Sequence, residues 1–99
     1  MKHIKMFVDQ IDEELEGAKD YAEKYVECKA KNNMAHANKY KEMAQQELVH
    51  AMNIHGFAVE AIELLNKVYT APVEMQEKWD HAHKEYVEKA AWIKQMLTL

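Results

Sequence analysis

Apolar residues recur every three or four positions through most of this chain, in three long segments. Such spacing places the apolar side chains on one side of an α-helix. The predicted helices run from about Ile4 to about Lys29, from about Met34 to about Tyr69, and from about Val73 to about Leu97. We therefore predict an all-α protein with three helices, in a single domain that spans residues 1–99.

Two short segments, residues 31–33 and 70–72, interrupt the apolar pattern. Either Asn32 or Asn33 can cap the second helix, and Pro72 suits the first turn of the third. Because the first break is short, the first two helices are expected to pack as an antiparallel hairpin. Residues at the same height in a hairpin have position numbers with a roughly constant sum, so Glu14 should lie opposite Glu47.

One acidic residue, Glu47, interrupts the apolar side of the second helix, and Glu14 lies at the edge of the apolar side of the first. His50 follows Glu47 by one turn and lies on the same side. A buried carboxylate is costly unless it is paired, hydrogen-bonded or bound to a metal, and two facing carboxylates repel each other. A multivalent cation removes this repulsion. The sequence therefore predicts a metal site in the core with Glu14, Glu47 and His50 as ligands.

Composition narrows the class of protein. The net charge is −4 with both signs interspersed, so no basic face indicates nucleic-acid binding. The longest apolar runs are a few residues, shorter than a membrane span needs, and the N-terminus lacks the apolar run of a secretory signal. A single cysteine, Cys28, fits the reducing cytoplasm. A helical chain of 99 residues with few aliphatic side chains is expected to need a metal or a partner chain for stability.

The segments Glu13–Tyr21 and Glu47–Met52 resemble encapsulated ferritins and the wider ferritin-like superfamily. In encapsulated ferritins, one short chain carries half of a ferritin-type four-helix bundle, and two chains pair to complete a di-iron ferroxidase site. The resemblance implies a homodimer in which Glu14, Glu47 and His50 of each chain bind iron. Assembly of such dimers into a larger ring is also compatible with it. Zinc, manganese or calcium could substitute for iron.

The resemblance also implies an activity, the oxidation of Fe(II) for iron storage or detoxification. Tyr21 matches an aromatic residue beside the site in that family. Tyr21 and Tyr40 could hydrogen-bond the ligands or quench oxidants, or they could simply pack. The segment Ile93–Leu99 lacks the targeting peptide of encapsulated cargo, so residence inside a protein shell is not expected.

Two other functions stay open. The first is a rubrerythrin-like di-iron enzyme that reduces peroxide or oxygen, although the chain has no Cys-x-x-Cys motif. The second is a non-enzymatic helical interaction module, in which Glu14 and Glu47 pair with lysines or solvent.

Other side chains offer weaker metal sites. Asp80-x-x-His83 on the third helix has the spacing of a rival half-site within the same chain. Glu77 and His81 could bind zinc adventitiously, but a solvated face is the better interpretation. His36 and His55 are expected to be packed or hydrogen-bonded.

Overall fold

A computed structural model describes residues 2–68 and 72–99 of the chain, with side chains from Ile4 onward. Three α-helices form the described part: α1 is Lys2–Ala30, α2 is Met34–Val68 and α3 is Val73–Met96. No strand occurs within these ranges. The all-helical prediction with three helices is confirmed. The predicted end of the second helix at Tyr69 lies outside the described residues.

Two asparagines connect α1 to α2. Asn32 has a φ of 60°, a left-handed conformation that asparagine tolerates better than most residues. The backbone N–H groups of Asn32 and Asn33 donate to the carbonyls of Lys29 and Cys28, which ends α1. The Asn33 Oδ1 accepts the backbone N–H of His36 at 3.2 Å, so Asn33 is the N-cap of α2.

Alanines bring α1 and α2 close together as an antiparallel hairpin. Their side chains are fully buried along the interface, at positions that alternate with larger apolar residues: Ala18, Ala22, Ala37, Ala44 and Ala51. Tyr21 of α1 stacks on Tyr40 of α2 with ring centroids 6.2 Å apart. This contact agrees with the register that the short turn predicts.

The third helix packs mainly on α1 and runs parallel to it. Near its start Trp79 shares an apolar cluster with Ile4, and near its end Ile93 is buried in the main core. The Lys29 side chain at the end of α1 contacts the carbonyl of Leu99. Pro72 is the N-cap of α3, with a ψ of 143°, and precedes the first turn in which the sequence placed it.

The molecule is a rod of 55 × 17 × 17 Å, as long as α2 itself. Its radius of gyration is 16.1 Å, against about 13 Å for a compact chain of this length. Among the described residues, only Leu15 and Ile93 are large side chains that are almost fully buried. The core is therefore thin, and much apolar surface remains exposed.

The exposed apolar surface includes a line of side chains on α2. Met43, Phe57 and Leu64 are 36%, 56% and 62% exposed and, with His50, recur every seven residues. We call these four residues the His50 stripe. By length and composition α2 could cross a membrane, and most of its apolar stretch is not buried in the described structure. A helix that packs within a bundle can have the same length and composition, so the absence of a membrane partner stays a prediction.

Candidate metal centre

Three potential ligands meet near the middle of the hairpin: Glu14 from α1, with Glu47 and His50 from α2. One ligand atom from each lies within 4.8 Å of the others. The His50 Nδ1 is 3.4 Å from the Glu14 Oε2 and 3.9 Å from the Glu47 Oε1. No other group of three such residues forms in the described part of the chain. The structure thus brings together all three side chains that the sequence singled out.

The cluster lies at the surface of the hairpin, and its predicted place in the core is wrong. The side chains of Glu14, Glu47 and His50 are 27%, 28% and 55% exposed. No charged side chain is buried among the residues described. The physical reason is the position of α3, whose core contacts join a different side of α1 and leave the cluster without a cover. The two carboxylates are half-buried only because each helix shields the other.

A glycine on α1 makes room for the Glu47 carboxylate. A Cβ added at Gly17 would lie 3.0 Å from the Glu47 Oε2, closer than such contacts normally come. Glycine inside a helix costs about 1 kcal/mol relative to alanine. Gly17 is not among the site residues that the sequence predicts. The available signal was a glycine in the interior of an otherwise strong helix, which often marks close approach of another group.

The Glu47 carboxylate holds a proton more readily than an isolated glutamate does. A hydrogen bond with Glu14 raises the pKa of Glu47 above its usual range. Burial and the negative charge of Glu14 act in the same direction, while His50 opposes them. A proton and a cation serve the same purpose here, because either one relieves the repulsion between the carboxylates. A metal ion would therefore displace the proton.

The two tyrosines predicted beside the site stack on each other. Neither hydroxyl forms a hydrogen bond with Glu14, Glu47 or His50 in the described part of the molecule. Their stacking fixes the hairpin between the cluster and the turn. Packing is the role that this geometry supports for Tyr21 and Tyr40.

The weaker candidate sites do not form groups of three ligands within the ranges described. Asp80 accepts a hydrogen bond from Gln76, and His83 contacts His55 of α2, so Asp80 and His83 do not make a half-site together. His81 is exposed and pairs with Glu85 at 3.1 Å, not with Glu77.

The expectation that His36 and His55 are packed or hydrogen-bonded agrees with the structure. The His36 Nδ1 lies 3.0 Å from the Asn33 side-chain amide at the start of α2. His55 contacts His83 and stacks on Tyr86.

Comparison of the chain with protein-family models, curated proteins and solved structures finds no match. The chemistry of the site therefore rests on its own donor atoms. They are two carboxylates and one imidazole, held by two helices on a half-exposed face.

Proposed function

We propose that this protein is a ferritin-like ferroxidase that binds Fe(II) through Glu14, Glu47 and His50 and oxidises it at a di-iron site shared by two copies of the chain. The observation that carries the proposal is the meeting of these three donors from two helices. Mixed carboxylate and imidazole ligation suits iron, and no thiolate is present to favour a softer ion. Fe(II) is the substrate, and the two ions of one site would each give one electron to molecular oxygen, which takes up two protons and leaves as hydrogen peroxide.

The number of ligands argues for two chains. A ferritin-type di-iron site takes one glutamate from each of two helices and a Glu-x-x-His from each of the other two. One chain offers one of each: Glu14 on α1, and Glu47 with His50 on α2. A twofold dimer uses the same surface of both copies and so supplies the missing half.

The location of the cluster favours the same arrangement. Glu47 and His50 lie near the midpoint of α2, and Glu14 near that of α1. A twofold axis beside a central site lets the two hairpins overlap along their whole length. The His50 stripe would then be covered by the second copy, which accounts for apolar side chains that are 36–62% exposed in one chain.

The residues of this chain have distinct tasks in such a site. Glu14 and Glu47 would neutralise the charge of the metal, and the ion would relieve the repulsion between them. His50 contributes a neutral nitrogen donor. Met43 and Phe57, seven residues before and after His50, would exclude water from the paired faces. Gly17 keeps the space in which the Glu47 carboxylate lies.

The proposal is tested by adding Fe(II) anaerobically to metal-free protein, measuring the bound iron, and then admitting oxygen. We expect one iron per chain and an oxygen-dependent rise in ferric absorbance. His50→Ala should abolish both, because a symmetric site loses two ligands at once. His81→Ala is the matched control, since His81 is exposed and pairs only with Glu85 in the described structure. It should behave as wild type.

Full activity of the His50→Ala chain would refute the ligand assignment. If the wild-type chain binds no divalent ion, the exposed apolar stripe is better explained by a non-enzymatic interaction module. Iron binding with hydrogen peroxide as the preferred oxidant would instead favour the rubrerythrin-like alternative.

A further inference from the structure

Two histidines from different helices meet on the side of the molecule where α2 faces α3. The His55 Nε2 of α2 lies 2.8 Å from the His83 Nδ1 of α3, and the ring centroids are 5.0 Å apart. A hydrogen bond between two imidazoles requires that at least one ring nitrogen be unprotonated. Neither of these residues belongs to the Glu14, Glu47 and His50 cluster.

Aromatic side chains of α3 hold the His55 ring in place. Tyr86 stacks on it at 4.5 Å with an interplanar angle of 14°, and Trp79 lies at 5.4 Å. Burial lowers the pKa of His55, and the adjacent His83 lowers it further. The neutral form, which is the form that binds a metal, is therefore favoured.

A carboxylate from the remaining helix lines a narrow crevice beside the two histidines. Asp12 of α1 lines it together with His55 and His83. Burial raises the pKa of Asp12, while the positive charge of Lys89 opposes this effect. The crevice is thus bordered by two imidazoles and one acidic group, and each comes from a different helix.

We propose that His55 and His83 form a second metal site, independent of the proposed ferroxidase site, that takes a borderline divalent ion such as Zn²⁺ or Cu²⁺ and ties α3 to α2. Imidazole suits these ions, whereas Mg²⁺ and Ca²⁺ prefer oxygen donors.

The distances allow the site to form with little movement. Zinc binds histidine nitrogen at about 2.0–2.1 Å, so two nitrogens on one tetrahedral ion lie about 3.3 Å apart. The two nitrogens need to separate by about 0.5 Å, and one ring must also turn, because nitrogens that now face each other in a hydrogen bond must instead both face the ion. His83 is exposed and can make this adjustment. Asp12 lines the same crevice but does not form a group of three ligands with the two histidines in the described structure, so water completes the coordination.

The consequence for the fold follows from the weak contact between α2 and α3. Within the described ranges, the pair of His55 and His83 is the one side-chain hydrogen bond that joins these two helices. Replacing this hydrogen bond by two metal–ligand bonds would fasten α3, which otherwise packs mainly on α1.

The experiment uses the full-length His50→Ala chain, so that the first metal site is absent, and adds Zn²⁺ in a calorimeter and in a thermal melt. We expect one Zn²⁺ per chain and a higher melting temperature. Adding His83→Gln should weaken the zinc affinity at least tenfold and remove the rise in melting temperature. Glutamine is chosen because it keeps a hydrogen-bonding group without the imidazole. A second variant, His55→Gln, should weaken zinc binding and remove the rise in melting temperature in the same way.

His81→Gln in the same background is the control, because His81 lies on α3 with only Glu85 as a partner in the described structure. It should bind zinc as the parent does. Equal zinc affinity in the His83→Gln and parent chains, or loss of binding in the His81→Gln chain alone, would overturn the proposal. So would zinc-dependent association of two chains in sedimentation, since the proposed ion is held within one chain.

Discussion

Gly17 has no side chain, and the Glu47 carboxylate occupies the space beside it. A Cβ added at this position would lie 3.0 Å from the Glu47 Oε2. In the apolar pattern of the sequence, this position is simply one more residue of a helix. Its effect on the site becomes visible only when the neighbouring helix is in place. A residue that cannot itself bind a metal therefore sets the space available to one of the ligands.

Gly17→Ala should separate stability from metal binding. Alanine favours the helix by about 1 kcal/mol, so the metal-free chain should be as stable as wild type or more so. The displaced Glu47 carboxylate should weaken Fe(II) or Mn²⁺ binding about tenfold. Urea denaturation and calorimetry measure the two effects.

Gly56→Ala is the matched control for this prediction, because nothing lies within 4 Å of a Cβ added at Gly56. It should raise stability by up to about 1 kcal/mol and leave metal binding unchanged. A Gly17→Ala chain with wild-type metal affinity would contradict the steric role of the glycine.

Glu47→Gln should stabilise the metal-free protein at neutral pH. Because the pKa of Glu47 is raised in the folded state, folding favours its protonated form. That contribution is fully present below the unfolded value of about 4.5 and is lost as the pH rises through the folded value. At pH 7 the variant should gain about 0.5 kcal/mol, typical of a relieved like-charge pair on a helix surface. The gain should shrink as the pH approaches 4.5 in urea denaturation. A variant that is less stable than wild type at pH 7 would contradict the repulsion.

At the scale of the helices, the local sequence pattern predicts the helices and the register of the hairpin. The exposure of the site depends on tertiary packing. The three helices follow from apolar spacing, and the short turn predicts the register that puts Glu14 beside Glu47 and Tyr21 on Tyr40. Exposure of the site could not be predicted. An apolar stripe indicates that a side of a helix needs a cover, but it does not say which element supplies it. Contact between His55 and His83 likewise depends on how α3 is placed around α1.

The docking of α3 should be separable from the proposed ferroxidase site. Ile93 is 1% exposed, whereas the site uses only side chains of α1 and α2. Ile93→Ala should destabilise the protein by about 2–4 kcal/mol. At low temperature it should leave the iron affinity within about threefold of wild type. Val87→Ala, at an exposed position of the same helix, should change stability by less than about 0.5 kcal/mol. Loss of iron binding in a folded Ile93→Ala chain would show that α3 supports the site directly.

For the whole molecule, a thin core and a three-ligand site both favour a second copy. We expect Fe(II) to drive dimerisation and a chelator to reverse it.

Phe57→Lys should prevent the dimer by placing a charge in the His50 stripe, while the monomer keeps its helicity because Phe57 is already 56% exposed. Val87→Lys is the control on α3. Sedimentation equilibrium with and without iron measures both variants, and an active monomer would contradict the shared site.

The rod shape affects how that mass must be measured. A radius of gyration of 16.1 Å is the size of a compact globular protein of about 190 residues, close to twice the 99 residues of this chain. On a sizing column, a single elongated chain would consequently elute ahead of a compact protein of its own mass. Two such rods laid side by side would add width but little length, so dimerisation would shift the elution volume less than it does for a compact protein. Light scattering reports mass independently of shape and would separate the two states that the column separates poorly.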